Sequence, residues 1–364
     1  MGHGVAGVTC SRLPPLHPAN VFPATFFFPS RTLRVPLAHH FGVSLCRAPS
    51  QRKFWCCTSH LGDSSELGED RTCPADSPPL PQWKWRLVIA YDGTKYAGWQ
   101  YQQTPATVQS TVENALTIAT KLGRRELGLV GASRTDTGVH AWGQVTHFVT
   151  PFPYDTLVEP HAALNGILPP DVRVREISPA LPEFHARFAA HSKIYHYKIY
   201  AAAVMDPFQR FYAYHCAFKL NGDAMREAAK YFIGKQDFSA FSNAQHNDRK
   251  LDPVKEIFRF DVIEMGDLLQ LEVEGSGFLY KQVRNMVSLL IQVGKEALPP
   301  NIVPEILGTR DRRELAKVAA TAPPHGLCLV SVNYSQEILQ SPPGSPPISF
   351  GRTHQLTKCK LPFY

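Results

Sequence analysis

The stretch VKEIFRFDVIEMGDLLQLEVEG (254–275) sets the fold class. It reads as two β-strands joined by a tight turn at Met265-Gly266-Asp267, because a glycine-centred break between two β-prone runs is a hairpin signal. Strands joined so closely pair antiparallel. Just before it, AMREAAKYFIG (224–234) carries Met225, Ala228, Ala229 and Phe232 at helical spacing and ends on Gly234. Just after it, YKQVRNMVSLLIQVG (280–294) turns Val283, Met286, Val287, Leu290 and Ile291 inward as a second helix. Upstream, KIYHYKIY (193–200) is a strand in which every position is β-prone or long. Downstream, a short helix spans Arg312 to Ala320. Pro323-Pro324 then interrupts, and LCLVSVNY (327–334) is a last strand.

The first half of the chain has the same grammar. WRLVIAYDG (85–93) is a strand running into a turn, and TPATVQSTVENALTIATKLGR (104–124) is a helix with Val108, Val112, Ala115, Leu116 and Ala119 on one face. ELGLVGAS (126–133) and GQVTHFV (143–149) read as strands, 156–167 as a helix stopped by Pro169-Pro170, and VRVREI (172–177) as a strand. Strands and helices do not strictly alternate, so the expectation is an α+β fold. Two similar α/β halves, 81–190 and 191–335, carry mainly antiparallel sheets joined into one larger sheet. Helices cover one face, and a catalytic cleft lies between the halves, since junctions of this kind are the usual home of a site.

Composition narrows the function. The chain has 364 residues, 44% of them apolar, enough for one large domain or two modest ones. No apolar run approaches the length of a membrane span; TFFFP is far too short. The net charge of +7 suggests nucleic acid, yet residues 81–334 hold 28 Lys+Arg against 25 Asp+Glu, a local net of only +3. Any RNA or DNA must therefore meet a local basic patch. Cys10, Cys46, Cys56, Cys57 and Cys73 precede the core, and only Cys216 and Cys328 lie inside it. With no CxxC and no finger-like histidine spacing, a metal site is not expected. Two isolated core cysteines suit a reducing compartment.

The two ends read differently. Residues 1–62 contain no Asp or Glu but do contain Arg12, Arg31, Arg34, Arg47, Arg52 and Lys53 among many Pro, Ser and Thr. That is the composition of an organelle transit peptide, with a style that leans to chloroplast over mitochondrion; the alternative is an extension without an address. LGDSSELGEDRTCPADSPPLPQ (61–82) turns acidic and proline-rich, as a linker would. The tail from 336 to 364 contains SPPGSPPIS and is expected to be disordered.

The chemistry concentrates in GASRTDTGVHAWGQV (131–145). An aspartate in Thr-Asp-Thr-Gly is most often a turn former. Arg134, two residues before Asp136, points to the same side in an extended chain. A carboxylate beside a guanidinium stays ionised, and an ionised, positioned carboxylate is a candidate nucleophile. Arg284 sits among Val283, Met286 and Val287 on an otherwise apolar helix. It is either a surface residue or an arginine that needs an anionic partner near the core, for which Asp136 is a candidate. Tyr195 shares a strand face with Tyr197 and Ile199. It is either core or an aromatic at the lip of a cleft, able to stack on a nucleobase. His185 and Arg187, in FHARF (184–188), either contact phosphate or are simply solvated.

Taken together these pieces resemble the TruA-type tRNA pseudouridine synthases. The matching series runs from YDGTKYAGWQ (91–100) through TVQSTVENAL, SRTDTGVHAWGQVTHF, FHARF, KIYHYKIY, GKQDFSAFS and GFLYKQVRNMVSLLIQVG to APPHGLCLVSVNY (322–334), nearly all of residues 85–334. The chain departs from the usual pattern at Thr137, where alanine is common, and in AQHNDRKLDPVKEI (244–257), which lacks an SRTP-like run.

The resemblance implies that Asp136 is the catalytic aspartate and that Arg284 pairs with it. It also implies that Tyr195 packs against the target base and that Arg134 helps hold the extruded nucleotide. It further implies tRNA as the partner, at uridines of the anticodon stem-loop, and no cofactor or metal. Bacterial members are homodimers, which makes a homodimer an expectation here. Uridine-to-pseudouridine conversion swaps a C–N bond for a C–C bond with no net oxidation, so one carboxylate suffices. A carboxylate-dependent hydrolase would want a second acid or a metal. A noncatalytic RNA-binding relative, or the same reaction on an organellar mRNA or rRNA, are the other readings.

Overall fold

The computed structural model describes residues 82–243 and 252–351. The expected transit peptide, all but the last residue of the linker, part of the 244–257 stretch and the end of the tail lie outside the described residues. In chain order the strands are β1 (Trp83–Tyr91), β2 (Val130–Gly131), β3 (His140–Thr150), β4 (Val172–Ala180), β5 (Ser192–Tyr200), β6 (Tyr214–His215), β7 (Gly234–Asp237), β8 (Val254–Met265), β9 (Leu268–Gly275) and β10 (Leu327–Asn333). The helices are α1 (Val108–Thr120), α2 (Arg124–Leu127), α3 (Val158–Ile167), α4 (Gly222–Lys230), α5 (Gln282–Gly294), α6 (Ile302–Thr309) and α7 (Arg312–Val318).

All the strands belong to one sheet, in the order β4-β1-β3-β10-β5-β9-β8-β7, with β2 beside β3 and β6 beside β5. The fold is α+β and its pairing is mostly antiparallel, including the β8–β9 hairpin, whose Gly266 takes a φ of +64° in the turn. The two halves are stitched by β10. It runs antiparallel to β5 but parallel to β3, through Cys328 opposite His140 and Leu329 opposite Ala141. The close approach there needs Gly143: a Cβ at that position would lie 2.3 Å from the Val330 carbonyl oxygen.

Burial explains which residues form which layer. On β5 the alternate residues Tyr195, Tyr197 and Ile199 point into the core, as do Leu269, Leu271 and Val273 on β9. Helix α5 is buried around nearly its whole circumference, polar Gln282, Asn285 and Ser288 included, so the inward stripe read from its spacing is too narrow. It packs between α4 and α7 and against the 3₁₀ turn at Ser239–Phe241, where Asn285 donates to the Phe241 carbonyl. Strand β3 is buried at nearly every position. On it, His147 Nδ1 accepts the Ala186 amide at 3.1 Å, and Tyr334 in turn donates to the Ala186 carbonyl, so the 184–188 turn lies over the strand.

Several expectations are corrected. ELGLVGAS does not make one strand: Arg124–Leu127 winds into α2 because the Glu126 carboxylate accepts the Gly123 amide and Gly128 adopts φ +54°. Gly234 does not end α4, which stops at Lys230. With a φ of +103° it starts β7, paired with β8. Within GKQDFSAFS, Asp237 ends β7 and Ser239–Phe241 is a 3₁₀ turn. Helix α6 has no counterpart in the sequence reading.

The tail is also corrected. Residues 336–351 are part of the fold, and Ser349 pairs with Ile177 through two 3.0 Å backbone bonds. Its hydroxyl lies 3.0 Å from His161 Nδ1. Strand β4 is the edge of the sheet, so its outer backbone groups are free to recruit this segment. A Pro/Ser-rich composition conceals that pairing.

Candidate active site

The loop between β2 and β3 carries Asp136, and it is pinned at several points. The Trp99 amide donates to the Thr135 carbonyl at 3.0 Å, and the Val139 amide to the Asp136 carbonyl at 3.1 Å. The Tyr91 and Thr135 hydroxyls lie 2.8 Å apart in a buried position. Gln144 on β3 binds Ser133 from both sides, accepting its amide at 3.2 Å and donating to its carbonyl at 2.6 Å. Gly98 makes the approach possible: its φ is +91°, and a Cβ there would meet the Thr135 carbonyl at 2.6 Å. The sequence thus devotes backbone, hydroxyl and amide contacts to holding one short loop.

Arg284, in the first turn of α5, reaches that loop from the other half. Its Nη1 donates to Asp136 Oδ2 at 2.9 Å. Its Nε donates to the Ala322 carbonyl at 2.7 Å, and the Ala322 amide returns a 3.4 Å bond to the Arg284 carbonyl. The guanidinium is therefore aimed by the segment just before β10. Asp136 keeps 19% of its side chain exposed, and Oδ1 takes no hydrogen bond among the described residues. Pairing and partial exposure together describe a carboxylate that is oriented and still reachable.

A cavity of about 460 Å³ opens beside this pair, with Trp99, Arg134, Arg187, Tyr195 and Phe278 in its wall. Tyr195 is only 5% exposed, its hydroxyl 2.7 Å from that of Ser133 and its ring edge-on to Phe278 with centroids 5.3 Å apart. Burial pushes its phenol well above the usual tyrosine range; the Ser133 bond opposes this and the Asp136 charge adds to it. Along the same strand row Tyr197 and Ile199 are pure core. Of these three, only Tyr195 borders the cavity.

The other candidates divide. Arg134 and Arg187 are exposed and line the cavity. His185 does not line it. Its ring stacks on Phe188 at 4.4 Å, and its Nδ1 accepts the Arg187 and Phe188 amides at 3.2 Å each, which makes it a brace of the 184–188 turn. Lys193 was missed by the sequence reading and lines the same wall, donating to the Ala132 carbonyl at 2.8 Å. Its only signal was a charged residue in the strand row that leads to Tyr195. Phe278 was missed for want of any spacing that ties it to Tyr195. Among the described residues no three His, Cys, Asp or Glu side chains gather as a metal site, and no helix is long and apolar enough to cross a membrane.

The arrangement can orient a carboxylate against a flat ring held at an aromatic wall, with cations at the rim for a polyanion. Known proteins resemble this chain closely. A family model described as tRNA pseudouridine synthase matches residues 87–189 and 228–335. Arg134 and Asp136 fall in the first matched segment, Arg284 in the second, and Tyr195 between them. The tRNA pseudouridine synthase A 1 of Protochlamydia amoebophila (strain UWE25) is 40% identical over 254 residues, covering 70% of this chain and 97% of that protein. The tRNA pseudouridine synthase A of Exiguobacterium sp. (strain ATCC BAA-1283 / AT1b) is 41% identical over 255 residues, 69% and 98% of the two chains. The protein of that name in Bacillus subtilis (strain 168) is 41% identical over 249 residues, 68% and 98%.

Proposed function

This chain belongs to the TruA-type tRNA pseudouridine synthases, and from that premise we propose that it isomerises uridine in the anticodon stem-loop of tRNA with Asp136 as its nucleophile. The target uridine leaves its stack, at a cost of a few kcal/mol, and enters the cavity. Tyr195 packs against the base there, and Arg134 at the rim holds the extruded nucleotide. The C1′–N1 bond breaks and a C1′–C5 bond forms, the C5 proton leaving as the base rearomatises and N1 gaining one. Attack at C1′, attack at C6 and assisted loss of the base through a glycal all use the same carboxylate. Arg284 supplies its counter-charge and its aim.

The observation that carries the reading is the 2.9 Å contact between Asp136 and Arg284, made from two halves of the sheet beside one cavity. Asp136→Asn should reduce pseudouridine formation in a tRNA transcript by about a thousandfold or more while tRNA affinity stays within about twofold. Equal turnover by the two proteins would remove Asp136 from this role. Mapping the product residue in the transcript tests the stem-loop assignment.

Residues 1–62 direct the protein to an organelle, the chloroplast in preference to the mitochondrion, on their acid-free, arginine-bearing composition. A reporter fused to residues 1–80 that stays diffuse in the cytosol overturns it. A homodimer rests on kinship with bacterial enzymes, and light scattering at twice the monomer mass would support it.

A further inference from the structure

Lys193 is an ammonium in the active cavity with no anion to answer it. It lies on β5 between Gly275 of β9 and Val332 of β10, two residues before Tyr195 on the same strand row. One of its three N–H donors goes to the Ala132 carbonyl, 2.8 Å away. Among the described residues no carboxylate lies within ion-pair distance of it. The charge that acts on it is that of another cation, Arg187. The titratable and charged groups that share the cavity are Arg134 and Asp136 from the loop, Arg187 from the 184–188 turn and Tyr195 on its own strand. Tyr280, Lys281 and Arg284 join them at the start of α5. The one carboxylate in that set, Asp136, is engaged by Arg284.

A half-buried cation with spare donors, no carboxylate in ion-pair distance and a second cation acting on it is poorly satisfied in the free protein. An anion entering the cavity relieves it. A flipped nucleotide brings such a group with it, because its phosphodiesters enter or skirt the cavity along with the base.

We propose that Lys193 is a substrate-binding residue that grips a phosphodiester oxygen of the RNA beside the target uridine. The proposal rests on the reading of the cavity as the uridine site. It gives β5 two functions two residues apart: Tyr195 meets the base and Lys193 the backbone. The Ala132 carbonyl holds the ammonium in place, so the contact is aimed before the RNA arrives. Burial first, and then Arg187, bring the Lys193 pKa down to about 8. In the free protein the grip is therefore full near neutral pH and is lost as pH rises through about 8. Tyr195, pushed far above its ordinary range, stays protonated through that window.

The experiment compares wild type with Lys193→Met and Lys193→Arg. Affinity for a tRNA transcript is read by fluorescence anisotropy across a salt series, and kcat/KM across pH 7–9. Lys193→Met should weaken binding about tenfold or more, since a charged hydrogen bond is lost. It should make the log affinity–log salt slope shallower by about one, and flatten the fall of kcat/KM above pH 8. Lys193→Arg, charged throughout, should keep the slope and move the fall out of the window. An unchanged salt slope and an unchanged alkaline fall in Lys193→Met would overturn the proposal, whatever happens to turnover, and leave Lys193 as a tie to Ala132. Anisotropy does not require turnover. A wild type that binds tRNA but makes no pseudouridine thus defeats the catalytic reading, while the slope still judges Lys193.

Discussion

Two ion pairs in this molecule are nearly identical by every local measure. Arg284 and Asp136 approach to 2.9 Å with side chains 10% and 19% exposed; Arg86 and Glu176 approach to 3.0 Å at 9% and 20%. Their surroundings differ. Arg86 lies opposite His147 on β3 and Ser178 on β4, so its pair is assembled within adjacent strands of one half. Ser178 donates to the same Glu176 oxygen at 3.2 Å, and the Arg86 guanidinium sits 5.8 Å from the centre of the Phe184 ring. Phe184, at the start of the 184–188 turn, thus flanks the Arg86 side of that pair. The Asp136 pair joins two halves and borders a cavity with a tyrosine in its wall. Distance and burial therefore do not tell the two pairs apart; a shared cavity at the junction of the halves does.

The largest expected effect separates the pairs directly. Where Asp136→Asn abolishes conversion of a tRNA transcript, Glu176→Gln should leave the rate within about twofold. A comparable loss in both variants would mean that the cavity beside Asp136 does not set the two pairs apart. Next in size is the guanidinium. Arg284→Met should lower kcat about a hundredfold, because the carboxylate loses both counter-charge and aim. Arg284→Lys should recover only part of that, since one ammonium cannot serve Asp136 and Ala322 in a fixed fork. Full recovery in single-turnover assays would show that charge alone matters.

Smaller effects fall on stability. Glu176→Gln should lower the unfolding free energy by about 1–3 kcal/mol, read by urea denaturation, because Arg86 is left buried without its anion. His147 lies opposite Arg86 in the same region. Burial, then His185 and Lys84, depress its pKa to about 4, whereas in the unfolded chain it titrates near 6.5. Its stabilising contribution is complete above about pH 6.5 and is lost as pH falls through 4, on the order of 2 kcal/mol. His147→Gln should flatten stability over that range, and a slope identical to wild type would remove His147 as its source. The smallest change is Tyr195→Phe, which keeps the ring and forfeits the Ser133 bond. It should cost about 1 kcal/mol, a few-fold in kcat/KM. A loss as deep as that of Tyr195→Ala would mean that the hydroxyl, not the ring, does the work.

Much of the fold was legible because periodicity is local. The β8–β9 hairpin, helix α1 with Val108, Val112 and Leu116 inward, and the strand character of β5 follow from residues within one or two turns of each other. Boundaries set by capping were not legible. Glu126 reaching the Gly123 amide, and Gly234 starting a strand instead of ending a helix, depend on single contacts that no average propensity encodes. The tail shows the same limit: a Pro/Ser-rich run looks unstructured until a sheet edge offers Ser349 a partner.

The sequence by itself determined the residue types of the site, Asp136 in its glycine turn, Arg284 on an apolar helix and Tyr195 on a strand, and the α+β class that houses them. Only the tertiary structure decided which of them meet. Asp136 and Arg284 are 148 residues apart, and they touch because the last strand, β10, seats itself between the halves and runs parallel to β3. Lys193 and Phe278 joined the site, and His185 left its wall, for the same reason. Side-chain direction along a strand can be read locally, but what stands opposite is set by chain closure over long distances.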